Sequence, residues 1–173
     1  MNTINTIVWL FPVIFMLHDF EEIIFVEAWK RKYKRKIQAT KMKKIPFADL
    51  GSTPSFSIGV LIEFFIISAL SLSACIFDWY FLWLGLFFGF TIHLIVHCML
   101  ASQFKGYVPG VATAVPLLPF CFYILWISNK FLSFTTAQLW ISCVVGAILM
   151  LLMVAVLHRC MKSFETFIKK WEV

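Results

Sequence analysis

FSIGVLIEFFIISALSLSACIF, residues 56–77, runs on with a single charged side chain, Glu63. A hydrocarbon core about 30 Å thick is crossed by roughly 20 apolar helical residues. The segment therefore predicts a membrane-spanning helix. An ionised carboxylate facing lipid is costly, so Glu63 is expected to point inward and find a partner.

The same length criterion, roughly 17 to 25 residues, picks out five runs, near residues 4–28, 56–76, 79–101, 111–128 and 137–158. Composition agrees with a membrane chain: of 173 residues, 61% are hydrophobic and only 14% are charged, against about a quarter charged in soluble domains. The reading is all-α: a single membrane domain over 1–173, five transmembrane helices, multi-pass in the cell membrane. The first run is too long for a signal-peptide core and has neither a basic leader nor a small-residue cleavage site before its charges, so it is expected to be retained.

The net charge of +6 is unevenly placed. Nine of the fifteen Lys and Arg residues lie between Lys30 and Lys44. The positive-inside rule puts that loop (30–46) in the cytoplasm, and alternation leaves only Lys130 outside. The expected orientation is N-terminus out and C-terminus in. The basic loop reads as an orientation signal touching anionic lipid, with no nucleic-acid partner. Trp29 and Tyr33 are expected near the interface, Glu27 and His158 as anchors at helix ends, and Asp78 in a turn. The five cysteines are scattered singly and carry no disulfide framework or thiolate metal site. Pro109, Pro116 and Pro119 should kink or break the fourth span, either as a kink that merely fits the bundle or as a cavity wall built from Tyr107, Thr113 and the freed carbonyls.

MLHDFEEIIF, residues 16–25, puts a histidine and three carboxylates into the first span. At 1.5 Å rise per residue, His18 lies roughly 16 Å from the cytoplasmic end, Glu21 and Glu22 roughly 10 to 12 Å, Glu63 roughly 12 Å, and His93 and His97 roughly 10 to 17 Å. Six His and Glu residues from three helices share one layer. His18, Glu21 and Glu22 stand at i, i+3 and i+4 on one helix face. His93 and His97 have the i, i+4 spacing that lets two imidazoles hold one metal. Asp19, about 100° from His18 around the helix, is expected to orient an imidazole or to meet another span.

Buried carboxylates repel one another and buried imidazoles lose their charge; a cation stabilises both together. Mixed nitrogen and oxygen donors suit zinc best here, with iron or manganese as alternatives. The expected ligands are His18, Glu22, Glu63, His93 and His97, with Glu21 or Glu22 as the acid/base residue. One zinc with an open position would make a hydrolase for a lipidic or otherwise amphiphilic substrate, with membrane lipid as its surroundings. A dinuclear or di-iron oxidoreductase is a second layout. The same residues in a relay would make a proton-coupled transporter or ion conduit; five spans without a repeat lack a transporter's usual symmetry, which a homodimer would supply. As a purely structural hydrogen-bond network they would instead hold together a structural or partner-binding membrane subunit.

HDFEE (18–22), Glu63, HLIVH (93–97) and the following GYVPGVATAVP together resemble the HXXEE family of small bacterial integral membrane proteins. The resemblance implies a membrane protein whose hallmark residues are His18, Glu21 and Glu22. It implies no reaction.

Overall fold

A computed structural model describes residues 3–39 and 51–171. These form six helices: α1 (Thr3–Val8), α2 (Leu10–Ala39), α3 (Thr53–Phe77), α4 (Tyr80–Phe104), α5 (Val111–Leu132) and α6 (Thr136–Trp171). No strand occurs among the described residues. Trp9 is a single-residue break, so α1 and α2 act as one rod and the described residues form a bundle of five rods.

Helices α3 to α6 are each long and apolar enough to cross a membrane. Their outer faces agree: Phe65, Ile141 and Leu151 are 63%, 57% and 71% exposed, which suits lipid and not water. The chain is thus a multi-pass membrane protein. The rod α1–α2 differs in composition because Asp19, Glu21, Glu22 and Glu27 interrupt its apolar sequence.

Helix α4 is central, packed against α6, α5 and α3. Its buried stripe reads Trp83, Phe87, Phe90, Leu94, His97, alternating steps of three and four that keep one face inward. The stripe on α2 reads Phe11, Phe15, His18, Glu22 by the same spacing. The two stripes face each other across large rings: Phe11 meets Phe87 edge-on at 5.0 Å, and Phe15 lies 6.1 Å from Phe90. One turn further along, the phenyl rings give way to imidazoles, with His18 at 5.9 Å and His93 at 6.3 Å from Phe90. The site is therefore a polar continuation of an aromatic core.

Against α6 the approach is much closer. Gly85 and Gly89 of α4 face Ser142 and Gly146 of α6, and Ser142 Oγ donates to the Phe81 carbonyl at 2.7 Å. Small residues four apart let two transmembrane backbones touch. The GLFFG stretch (85–89) carries this signal in the sequence.

Pro12 has no N–H for the carbonyl of Val8, one turn earlier, and Trp83 Nε1 donates to that carbonyl at 3.2 Å. The fourth span corrects an expectation. Helix α5 runs unbroken through Pro116 and Pro119, and Pro109 lies in the preceding turn. Trp29 is likewise only 2% exposed: its Nε1 donates to the Tyr107 carbonyl at 2.6 Å, and its ring packs 5.2 Å from Phe104. It anchors protein to protein instead of protein to lipid.

Of the basic loop, residues 30–39 belong to α2, which bends at Tyr33 (φ −105°, ψ 15°). Lys41, Lys43, Lys44 and Pro46 lie outside the described residues. Glu27 accepts from the Thr53 N–H at 2.9 Å, and Glu165 accepts from the Ser52 N–H at 2.9 Å. Both carboxylates cap the start of α3, tying α2 and α6 to it. Asp78 sits in the left-handed region (φ 58°) and ends α3. The five cysteines carry no disulfide.

Candidate metal centre

Four of the side chains singled out in the sequence converge. One donor atom each of His18, Glu22, His93 and His97 lies within 4.8 Å of the others, a cluster that can hold a metal ion. Helix α2 supplies His18 and Glu22 from consecutive turns, and α4 supplies His93 and His97. His97 Nε2 is 2.9 Å from Glu22 Oε1 and 2.9 Å from His93 Nε2; His18 Nε2 is 3.5 Å from Glu22 Oε1. His18, Glu22 and His97 are at most 4% exposed.

The outer nitrogens determine which ring atoms carry protons. His97 Nδ1 lies 2.9 Å from the Pro109 carbonyl, which only accepts, so Nδ1 holds the proton. His18 Nδ1 lies 2.9 Å from Thr113 Oγ1. The Thr113 hydroxyl has one proton and donates it to Glu21 Oε2 at 2.7 Å, in preference to the Gly110 carbonyl at 3.2 Å. Its oxygen therefore accepts from His18 Nδ1–H. Both imidazoles then turn Nε2 lone pairs toward the Glu22 carboxylate.

Lone pairs facing a buried carboxylate at such distances repel unless a cation or proton lies among them. His18 Nε2 and Glu22 Oε1 are buried with no hydrogen-bond donor, although His97 Nε2 sits close to the latter. Three imidazole nitrogens and one carboxylate oxygen make a donor set that zinc, iron or manganese accepts. The residues fit a divalent ion. Each outer imidazole contact fixes a ring and its tautomer, as is usual around ligating histidines.

Glu21 is placed otherwise than an acid/base role requires. Its carboxylate accepts from the Tyr107 hydroxyl (2.7 Å), Ala112 N–H (3.1 Å), Thr113 N–H (2.6 Å) and Thr113 hydroxyl. It is the anionic cap of α5 and the far end of the chain that holds His18. Tyr107 and Thr113, expected on a cavity wall, are both engaged with Glu21, and Tyr107 also lines a separate cavity beside Trp29 and Tyr33. Sequence spacing put Glu21 and Glu22 on one face; in the structure α5 engages Glu21 and α4 engages Glu22.

Glu63 stands outside the four-residue cluster, on the wall of an adjoining cavity of about 190 Å³ among α2, α3, α4 and α6. Its Oε1 is buried without a partner. Glu22, His93 and His97 line this cavity and His18 does not, so the cluster opens to the cavity on one side and is closed on the other by Thr113. Asp19 and His158 also line it. Asp19 does not orient His18, whose Nδ1 is taken by Thr113, and His158, exposed overall, contributes to the cavity wall. The rest of the lining is apolar, including Phe15, Val60 and Leu157.

Gly110 was missed in the sequence. Its φ of +88° favours glycine, and an added Cβ would lie 2.5 Å from His97 Nδ1 and 2.6 Å from Glu22 Oε1. Gly110→Ala is expected to cost about 2 kcal/mol of stability from backbone strain and crowding and to weaken metal binding about tenfold or more. Parallel unfolding and metal titrations check both. Its only sequence signal is GYVPG, a turn following a two-histidine helix.

No curated protein and no solved structure matches this chain. A family model described as a protein of unknown function with an HXXEE motif matches residues 9–124. The motif is His18-Asp-Phe-Glu21-Glu22, two members of the cluster and the clamp on its outer side. The chain belongs to the HXXEE family.

Proposed function

We propose that the protein is an intramembrane metal-dependent enzyme, a hydrolase of a lipidic or amphiphilic substrate, with His18, Glu22, His93 and His97 as metal ligands. One observation carries the reading: His18 Nε2 is buried without a hydrogen-bond partner and faces Glu22 Oε1, with the Nε2 atoms of His97 and His93 converging beside them. Zinc is the favoured ion, with iron or manganese as alternatives. When bound, the ion supplies a Lewis acid beside the cavity. The proposed orientation, from the basic residues of α2, keeps the site in the cytoplasmic half of the cell membrane.

Within this reading Glu63 is the acid/base residue, replacing Glu21, whose oxygens are already engaged. Hydrolysis adds water across an ester or amide. The water oxygen bonds to the carbonyl carbon, the bond to the leaving oxygen or nitrogen breaks, and Glu63 takes a water proton and returns it to the leaving group. The apolar walls hold the adjoining chain and exclude bulk water. Thr113 and Pro109 keep the His18 and His97 rings in place.

The test is hydrolysis of ester- and amide-linked amphiphiles by metal-replete protein and by protein stripped with chelator. Glu63→Gln is expected to lower kcat about 10²- to 10⁴-fold with bound metal unchanged. Hydrolysis that survives both chelation and Glu63→Gln overturns the metal-dependent mechanism, and no hydrolysis by metal-replete protein overturns the hydrolase reading. The hydrogen-bonded chain His18–Thr113–Glu21–Tyr107 favours a proton relay as the second reading. Proton flux in liposomes abolished by Thr113→Val would favour it instead.

A further inference from the structure

Beyond the metal cluster, the cavity has a second polar wall. Asp19 is 4% exposed, lines the cavity, and has no hydrogen bond or ion pair to any described residue. Glu63 shares that cavity, its Oε1 buried and unpartnered. No Lys or Arg lines the space. His158, the remaining polar lining residue, donates its Nδ1 proton to the Val154 carbonyl at 2.7 Å. The walls thus present acceptors and neither lysine nor arginine.

Asp19 and the Glu63 Oε1 atom are thus acceptors on the cavity wall that no side chain supplies with a donor, and a buried polar group left without a partner is costly. A second metal fits poorly, because Asp19, Glu63 and His158 are not among the side chains whose donor atoms converge. An ammonium group, with three hydrogen-bond donors around one nitrogen, can reach acceptors that are further apart.

We propose that Asp19 is the counter-ion for an ammonium group on the substrate, which is therefore an amphiphile bearing a primary amine near the bond that reacts. The ammonium sits at Asp19 and the apolar part lies against Phe15, Phe56 and Val60. Glu63 remains the acid/base residue. The assignment rests on the reading that this cavity takes the substrate, but not on which bond is broken.

The test compares hexylamine, 1-hexanol and hexanoate on the full-length, metal-replete protein in phosphatidylcholine nanodiscs, reading the unfolding midpoint against concentration with bound metal measured in the same samples. Hexylamine is expected to raise the midpoint saturably, with an apparent affinity about tenfold or more above that of 1-hexanol. Asp19→Asn, nearly isosteric, is expected to reduce it to the hexanol level with metal content unchanged. Equal affinities in the wild type overturn the proposal. So does an amine preference that survives Asp19→Asn, or a second metal equivalent that this substitution removes. If the variant does not fold, the wild-type comparison decides alone. An amine preference in protein that binds no metal would sustain this proposal while defeating the metal reading.

Discussion

Purified in mild detergent without chelator, the wild-type protein is expected to retain one equivalent of divalent metal, and His97→Ala less than about a tenth of that. His97 is the most connected member of the cluster: Nε2 is 2.9 Å from both Glu22 and His93, and Nδ1 holds the turn at Pro109. Truncation removes one donor and leaves the Pro109 carbonyl buried without its partner. Mass spectrometry of bound metals checks this, with Cys98→Ser, one residue along the same helix, as the control. Glu21→Gln is expected to fall between the two, since it alters only the support of His18, where effects of tenfold to a hundredfold are usual. Metal retained in full by His97→Ala, or absent from the wild type after reconstitution, sinks the metal site.

The second large effect concerns packing. Gly146→Val is expected to destabilise the protein by about 3 kcal/mol. A Cβ there would overlap the backbone of Gly85, and one at Gly89 would lie 2.9 Å from the Gly146 carbonyl oxygen. Neither backbone can yield without parting α4 from α6, which also breaks the bond from Ser142 Oγ to the Phe81 carbonyl. Since α4 carries His93 and His97, metal affinity should fall together with stability. Reversible unfolding in detergent checks the first and metal titration the second. A stability within about 0.5 kcal/mol of wild type would mean that the two helices do not meet at this point.

Sequence depth and spacing located the cluster because helical rise is regular. Residues placed by 1.5 Å steps in antiparallel spans share a layer before any contact is known, and four of the six marked residues do meet. Depth carries no angular information between helices. Glu63 shares the layer yet lies across a cavity, because α3 presents it from another direction. Glu21 is adjacent to Glu22 yet serves α5, because successive helical residues diverge by about 100°. Pro116 and Pro119 misled for a similar reason: proline rules describe the loss of one hydrogen bond, and α5 continues without it.

By itself the sequence determined the membrane character and the layer in which polar residues gather, since both follow from chain-local quantities: hydropathy over about 20 residues and rise per residue. The family follows from the sequence as well. Only the tertiary structure decided which atoms meet. Nothing along the chain says that the turn before α5 and the first turn of that helix return to α2 and α4, supplying Pro109 to His97 and Thr113 to His18. Nor does it say that α6 must lie against Gly85 to close the cavity on which Asp19 and Glu63 look. Those relations are distances between segments far apart in sequence, set by how side chains of unequal size fill the space between helices.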